Sequence, residues 1–311
     1  MRTISKILLL AGLFLSTGLY ANVLDNGSQV LSIDYSQTNA QSLWKGSSTE
    51  NYFCNNTGSG ASCDTGIGKT TYSTYSLNYG RGLGLGLQAD FRLTYATSII
   101  EHGSHPNPTV GGVDTKQSKI SEISLKMTKN LISKSSHSTN VYFQYKSPGA
   151  NSEVANPTFL SVNDFSTHMT LGLTETLSLF ENWRWIFDVN YTKRSRADLL
   201  ESFELPADQI NVTLDLPYQL SERISAGMGL VMRHTTNGPD IGGSDWGTIN
   251  AAAGGIPAFY AIKEQFVGYS MSGSYYFPKS NTWVGASRFT KLTGRNTDQS
   301  TTWALFYGLN L

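Results

Sequence analysis

The side chains able to do chemistry in this chain are spread along it rather than clustered. Asp34, Asp90, Arg92, Glu122, Lys126, Arg184, Asp188, Asp215, Arg233 and Arg288 each fall on the polar side of a segment whose alternate residues are apolar. Five are acids and five are cations. Facing one another across a narrow interior, such groups either close into a satisfied hydrogen-bonded network or line an aqueous path whose field is mixed in sign. His102 and His105 share a connection with Glu101 and Asp114, but the spacing lacks the pattern of a zinc site. Solvated loop histidines are expected there, with no metal and no cofactor. The series Gly80-Arg81-Gly82-Leu83-Gly84-Leu85-Gly86 continues into a period-two segment, so no helix N-terminus awaits a phosphate. These glycines are expected to serve a tight turn and to give interior clearance.

Charges spaced in this way need a scaffold that alternates, and the chain supplies one. Leu83, Leu85, Leu87, Ala89, Phe91, Leu93 and Tyr95 interleave with Gly84, Gly86, Gln88, Asp90, Arg92 and Thr94. The same period recurs in Leu31-Ile33-Tyr35, Tyr75-Leu77-Tyr79, Ile123-Leu125-Met127, Val141-Phe143-Tyr145 and Met169-Leu171-Leu173. It continues in Trp185-Phe187-Val189-Tyr191, Ile210-Val212-Leu214-Leu216, Ile224-Ala226-Met228-Leu230-Met232 and Val267-Tyr269-Met271, with the register least defined from Trp283 to Phe289. The pattern predicts about 12 strands of the length a tilted strand needs to cross a bilayer.

Connections sharpen that expectation. They alternate long (37–69, 97–117, 147–161, 194–207, 234–264) with short (80–82, 130–138, 176–182, 217–222, 278–281), and end on a moderately long one at 291–300. Short turns at one end and long loops at the other are the arrangement of a transmembrane antiparallel up-and-down β-barrel, and an even strand count puts both termini on the short-turn side. A soluble β-sandwich alternates too, but it needs charge on its outer face. Here only 15% of the 311 residues are charged, against roughly 25% in ordinary soluble domains. The polar face is instead rich in Gly, Ser and Thr. Trp183, Trp185, Tyr218, Tyr275, Trp283 and Trp303 lie near strand ends, where an interfacial girdle would hold them.

Met1 to Ala21 has the layout of a cleaved secretory signal: Arg2 and Lys6, then the apolar stretch Ile7 to Leu15, then small residues toward Ala21. Residues 22–311 then form a single barrel domain. The signal carries two of the 23 bases and none of the 23 acids, so the mature balance is 21 against 23, or −2. That balance, without a basic run, excludes a nucleic-acid partner. In an exported chain Cys54 and Cys63 read as a disulfide, closing a short loop worth on the order of 2 to 3 kcal/mol.

Resemblance enters at the C-terminus. Trp303-x-Leu305-x-Tyr307-x-Leu309-x-Leu311 looks like the closing strand signal of bacterial outer-membrane proteins, although that family usually ends in Phe or Trp. It implies recognition by the outer-membrane assembly machinery, residence in the bacterial outer membrane and contact with its lipid. From Ser76 to Gly243, segments such as "YSLNYGRGLGLGLQADFRLTYA", "ISEISLKMTKNL" and "LPADQINVTLDLPYQLSERISAGMGL" resemble the layout of the uncharacterised outer-membrane family named for the MetA pathway of phenol degradation. That likeness implies a transporter barrel and carries no site residues.

The expectation is an outer-membrane channel for passive passage of small solutes, hydrophobic or aromatic ones included, with no catalytic residue. The connection from His234 to Glu264 contains "NAAAGGIPAFYAI", whose Ile256, Phe259, Tyr260 and Ile262 are candidates for a constriction or, alternatively, a lid on the rim. A barrel enzyme acting on lipid or peptide is the first competing expectation. His102-Gly103-Ser104 is followed by His105-Pro106 where outer-membrane phospholipases carry Asn-Gly, and no G-x-S-x-G elbow appears. Asp164, Ser166 and His168 alternate as a polar lumen ladder would. The second competitor is a closed structural or adhesive barrel.

Overall fold

The computed structural model describes residues 23–45, 48–51, 69–101, 115–148, 167–180, 182–195, 208–236, 263–295 and 297–311. Thirteen strands occur among them: β1 (Gln29–Lys45), β2 (Ser48–Asn51), β3 (Lys69–Gly84), β4 (Leu87–Glu101), β5 (Thr115–Lys134), β6 (His137–Pro148), β7 (His168–Phe180), β8 (Trp183–Arg194), β9 (Gln209–Gln219), β10 (Ile224–Thr235), β11 (Gln265–Phe277), β12 (Thr282–Arg295) and β13 (Thr297–Asn310). All strands but β2 form one antiparallel up-and-down sheet that closes on itself through β13 and β1, with Val30 opposite Asn310 and Trp44 opposite Thr297. β2 pairs only with the distal end of β1, from Ser42↔Asn51 to Lys45↔Ser48. The result is the expected twelve-stranded barrel. Closure leaves no sheet edge, which is the condition for backbone amides to survive in hydrocarbon.

The alternation turns apolar side chains outward. Ile33, Leu77, Leu125, Leu171, Met228 and Leu305 are all exposed. Their intervening neighbours point inward, and the buried polar group contains Ser32, Asn78, Thr94, Lys126, Asp188 and Asn190. This is a soluble fold turned inside out, and it identifies the outer surface as one that lipid must cover. Trp183 and Tyr218 stack 5.0 Å apart on adjacent strands, and Tyr275 meets Phe277 at 4.7 Å.

Two turns depart from the sequence expectation. The first hairpin turns at Leu85 and Gly86 rather than at 80–82, and Gly84, Leu85 and Gly86 all have positive φ. Glycine adopts that region at little cost, and the flanking pair carries Leu85 through it. The connection expected at 291–300 is almost absent, because β12 runs to Arg295 and β13 begins at Thr297.

Candidate functional site

The inward faces of β3 to β9 carry most of the interior charge. Asp90 lies directly opposite Lys126 across the β4–β5 pair, and accepts a 2.6 Å hydrogen bond from Gln88 Nε2. Arg92 donates to Ser76 Oγ (2.9 Å) and to Thr94 Oγ1 (3.3 Å), while Asp34 accepts from Asn78 Nδ2 at 2.6 Å. Lys126 Nζ sits 3.9 Å over the Tyr142 ring, and the Tyr142 hydroxyl donates to Asp188 Oδ1 at 3.0 Å. Asp188 also accepts from Thr174 (2.7 Å) and Asn190 (2.9 Å). Glu122 pairs with Lys146 at 3.3 Å. Near the long-loop end, Glu264 holds both Arg233 (3.3 Å) and Lys291 (3.5 Å), and both cations lie against the ring of Phe266.

These groups surround a cavity of about 660 Å³ lined by residues of all twelve barrel strands. Of the charged residues singled out in the sequence, Asp34, Asp90, Arg92, Glu122, Lys126 and Arg233 line it. With Lys146, Arg194 and Lys291 the lining cations number six, against the four acids Asp34, Asp90, Glu122 and Glu264. Asp188 is buried beneath Tyr142. Asp215 packs against the backbone of Gly229, and Arg184 shares the inward parity of Asp188 on β8; neither lines the cavity.

Arg288 departs from the expectation. It points to the outer surface, with its guanidinium 5.1 Å from the ring of Trp303. The reason is the register of β12, in which Trp283 and Phe289 are both buried in the lumen, forcing the even-numbered residues outward. Trp283 is therefore not a girdle residue.

Sequence reasoning missed that the wall formed by β10 to β13 carries apolar side chains among its Ser, Thr, Arg233 and Lys291. Val231, Phe266, Phe289, Ala304 and Phe306 face inward there, and no acid does so among the described side chains of these strands. The rings lie flat on glycines of the neighbouring strand. A Cβ on Gly308 would sit 1.9 Å from Trp283 Cζ2, and one on Gly285 would sit 2.0 Å from Phe306 Cζ. Glycine provides the depth that lets a ring rest in the wall instead of projecting across the lumen. Tyr142 lies in the same way on Gly172.

The short-turn end is occupied by the segment before β1. Leu24 packs among Val30, Trp283 and Phe306, and its amide donates to Gln88 Oε1 at 2.8 Å. Gly27 N donates to Gly82 O (3.0 Å), and Gly82 N to Ser28 O (2.9 Å). On the outer face near the same end, Glu175 accepts from Thr139 at 2.8 Å and contacts His137. Cys54, Cys63, His102, Ser104, His105, Asp164, Ser166, Ile256, Phe259, Tyr260, Ile262 and the segment 1–21 lie outside the described residues. His168 lines the cavity at its long-loop end.

No family model and no curated protein matches the chain. Solved structures do. An outer membrane channel from Pseudomonas putida superposes with a TM-score of 0.68 at 12% identity, covering 94% of this chain and 98% of that one. The translocator domain of the autotransporter NalP from Neisseria meningitidis gives 0.51 at 13% identity, covering 92% and 90%. The NanC porin gives 0.51 at 7% identity, covering 90% and 100%. At these identities the likeness is one of fold, that of outer-membrane β-barrels.

Proposed function

We propose that this chain is a channel of the bacterial outer membrane through which small solutes pass passively, down their own gradients. The observation that carries the reading is the cavity inside the closed sheet, whose charged lining exceeds neutrality by two cations. A soluble or purely structural barrel has no need to bury six cations and four acids, whereas an aqueous path uses them to hold water and attract counter-ions. The barrel fold shared with an outer membrane channel supports this reading. In the same proposal, residues 1–21 are removed on export, Cys54 and Cys63 pair, and the strand ending at Leu311 is the one the assembly machinery engages. Ile256, Phe259, Tyr260 and Ile262 would narrow the long-loop mouth.

The test is the conductance of the refolded mature protein in a planar bilayer, beside Arg92→Ala and Arg233→Ala. Steady current with a preference for anions, reduced in either variant, is the expected result. A correctly inserted but silent barrel would overturn it. The closed structural barrel is the second reading, favoured by the filled short-turn end around Leu24 and Trp283.

A further inference from the structure

We infer that the short-turn end of the lumen is a binding subsite for a small neutral solute with an apolar body and one polar group that both donates and accepts a hydrogen bond. Leu24 occupies it in the structure. The inference deepens the channel reading, and rests on it only for the route by which the solute arrives.

The berth is apolar and built. Val30, Trp283 and Phe306 enclose Leu24, Tyr276 packs against them, and the cluster itself holds no charged side chain. Gly82 lets the strap carrying Leu24 lie close on β3, since a Cβ there would fall 2.0 Å from the Asp25 carbonyl oxygen and 2.6 Å from that of Leu24. The occupant is lightly held. Among the described residues, its strap reaches the barrel wall through the Gly27 and Ser28 bonds to Gly82 and the single bond from Leu24 N to Gln88.

An independent observation points to a ligand. The indole Nε1 of Trp283, a side chain only 1% exposed, has no hydrogen-bond partner among the described residues. Buried donors are nearly always paired in native proteins, so an orphan beside an apolar berth is a donor awaiting an acceptor. Gln88 Oε1, which now accepts from Leu24 N, is the matching acceptor once the strap leaves. A carbonyl on Trp283 and an N–H or O–H on Gln88 would satisfy both. Val30 and Phe306 line the main cavity as well as the berth, so the two spaces share a wall. Gln88 Nε2 continues to Asp90, another cavity residue. A solute descending the lumen therefore reaches the subsite without crossing the barrel wall, and displaces Leu24 by offering the same apolar contact plus the missing acceptor.

The experiment is isothermal titration calorimetry of the refolded full barrel with benzamide, and with benzylammonium, which keeps the ring but has no acceptor. Benzamide should bind once per barrel and about tenfold more tightly to Leu24→Ala, because a buried leucine no longer competes. Trp283→Phe, which keeps a ring in the wall, should weaken benzamide about fivefold. Equal affinity for wild type and Leu24→Ala, equal binding of benzylammonium, or indifference to Trp283→Phe would each overturn the subsite. Bilayer current on the same samples separates the two readings. A conducting barrel that binds no benzamide loses the subsite and keeps the channel, whereas a silent barrel that binds it keeps the subsite and loses the channel.

Discussion

Replacing Gly172 with alanine should destabilise the barrel by about 2 to 5 kcal/mol, an unusual cost for one methyl group on an inward strand face. The new Cβ would stand 2.2 Å from Tyr142 Cζ, 2.5 Å from its hydroxyl and 2.6 Å from Cε1. Ordinary contact begins at 3.4 Å, so the ring must retreat by the difference from 2.2 Å, about 1.2 Å, into the lumen. That movement pulls the hydroxyl from Asp188 Oδ1, now at 3.0 Å, and the ring from beneath Lys126 Nζ, now at 3.9 Å. Overpacking costs about 1 to 3 kcal/mol and a hydrogen bond to a charged group about 1.5 to 3, offset by about 0.5 to 1 from the stiffer unfolded chain. Urea unfolding of the barrel in lipid vesicles, followed by tryptophan fluorescence, measures the loss. In a Tyr142→Ala background the same glycine substitution should cost less than about 0.5 kcal/mol, because no ring remains to be moved. A full penalty in both backgrounds would refute the ring-on-glycine account and place the cost in the strand backbone.

Other expectations concern current. Arg288→Ala should leave anion preference unchanged, since its guanidinium lies on the outer face against Trp303, and reversal-potential measurements in a salt gradient would show this. Glu264→Gln should raise that preference, because the lining then carries six cations and three acids in place of four; an unchanged reversal potential would remove the cavity from the conducting path. Deleting 251–258 should increase conductance if Ile256 and its neighbours narrow the mouth. An unchanged single-channel current would assign that connection to a lid on the rim.

How far the sequence carried the fold depends on which rule governed each element. Outward alternation in β3, β5 and β10 was legible because lipid-facing strands must keep every second residue apolar, as Leu77, Leu125 and Met228 do. The same rule is blind to a two-residue turn. Leu83, Leu85 and Leu87 keep their spacing straight through the first hairpin, so periodicity gave no sign that the chain reverses at Leu85 and Gly86. Leu24 was invisible for a different reason: a single apolar residue ahead of the first strand has no period, and its berth is assembled from β1, β12 and β13.

The register of the last hairpin shows what other signal was available. An apolar-out rule misreads β12 because its lumen face is aromatic, which sent Arg288 inward on paper and outward in the protein. Pairing supplies the missing constraint. In the β12–β13 hairpin, Trp283 stands opposite Gly308 and Phe306 opposite Gly285. Each partner pair is equidistant from the hairpin's centre, and each sets one large ring against one residue without a side chain. On the outer face such a glycine would be an unfilled gap facing lipid, whereas on the inner face it is the recess that keeps a ring out of the lumen. Two aromatic–glycine pairs in one register therefore fix the face. Once Trp283 and Phe306 are inward, Arg288 must face outward, and the cations of the cavity lining are Arg92, Lys126, Lys146, Arg194, Arg233 and Lys291.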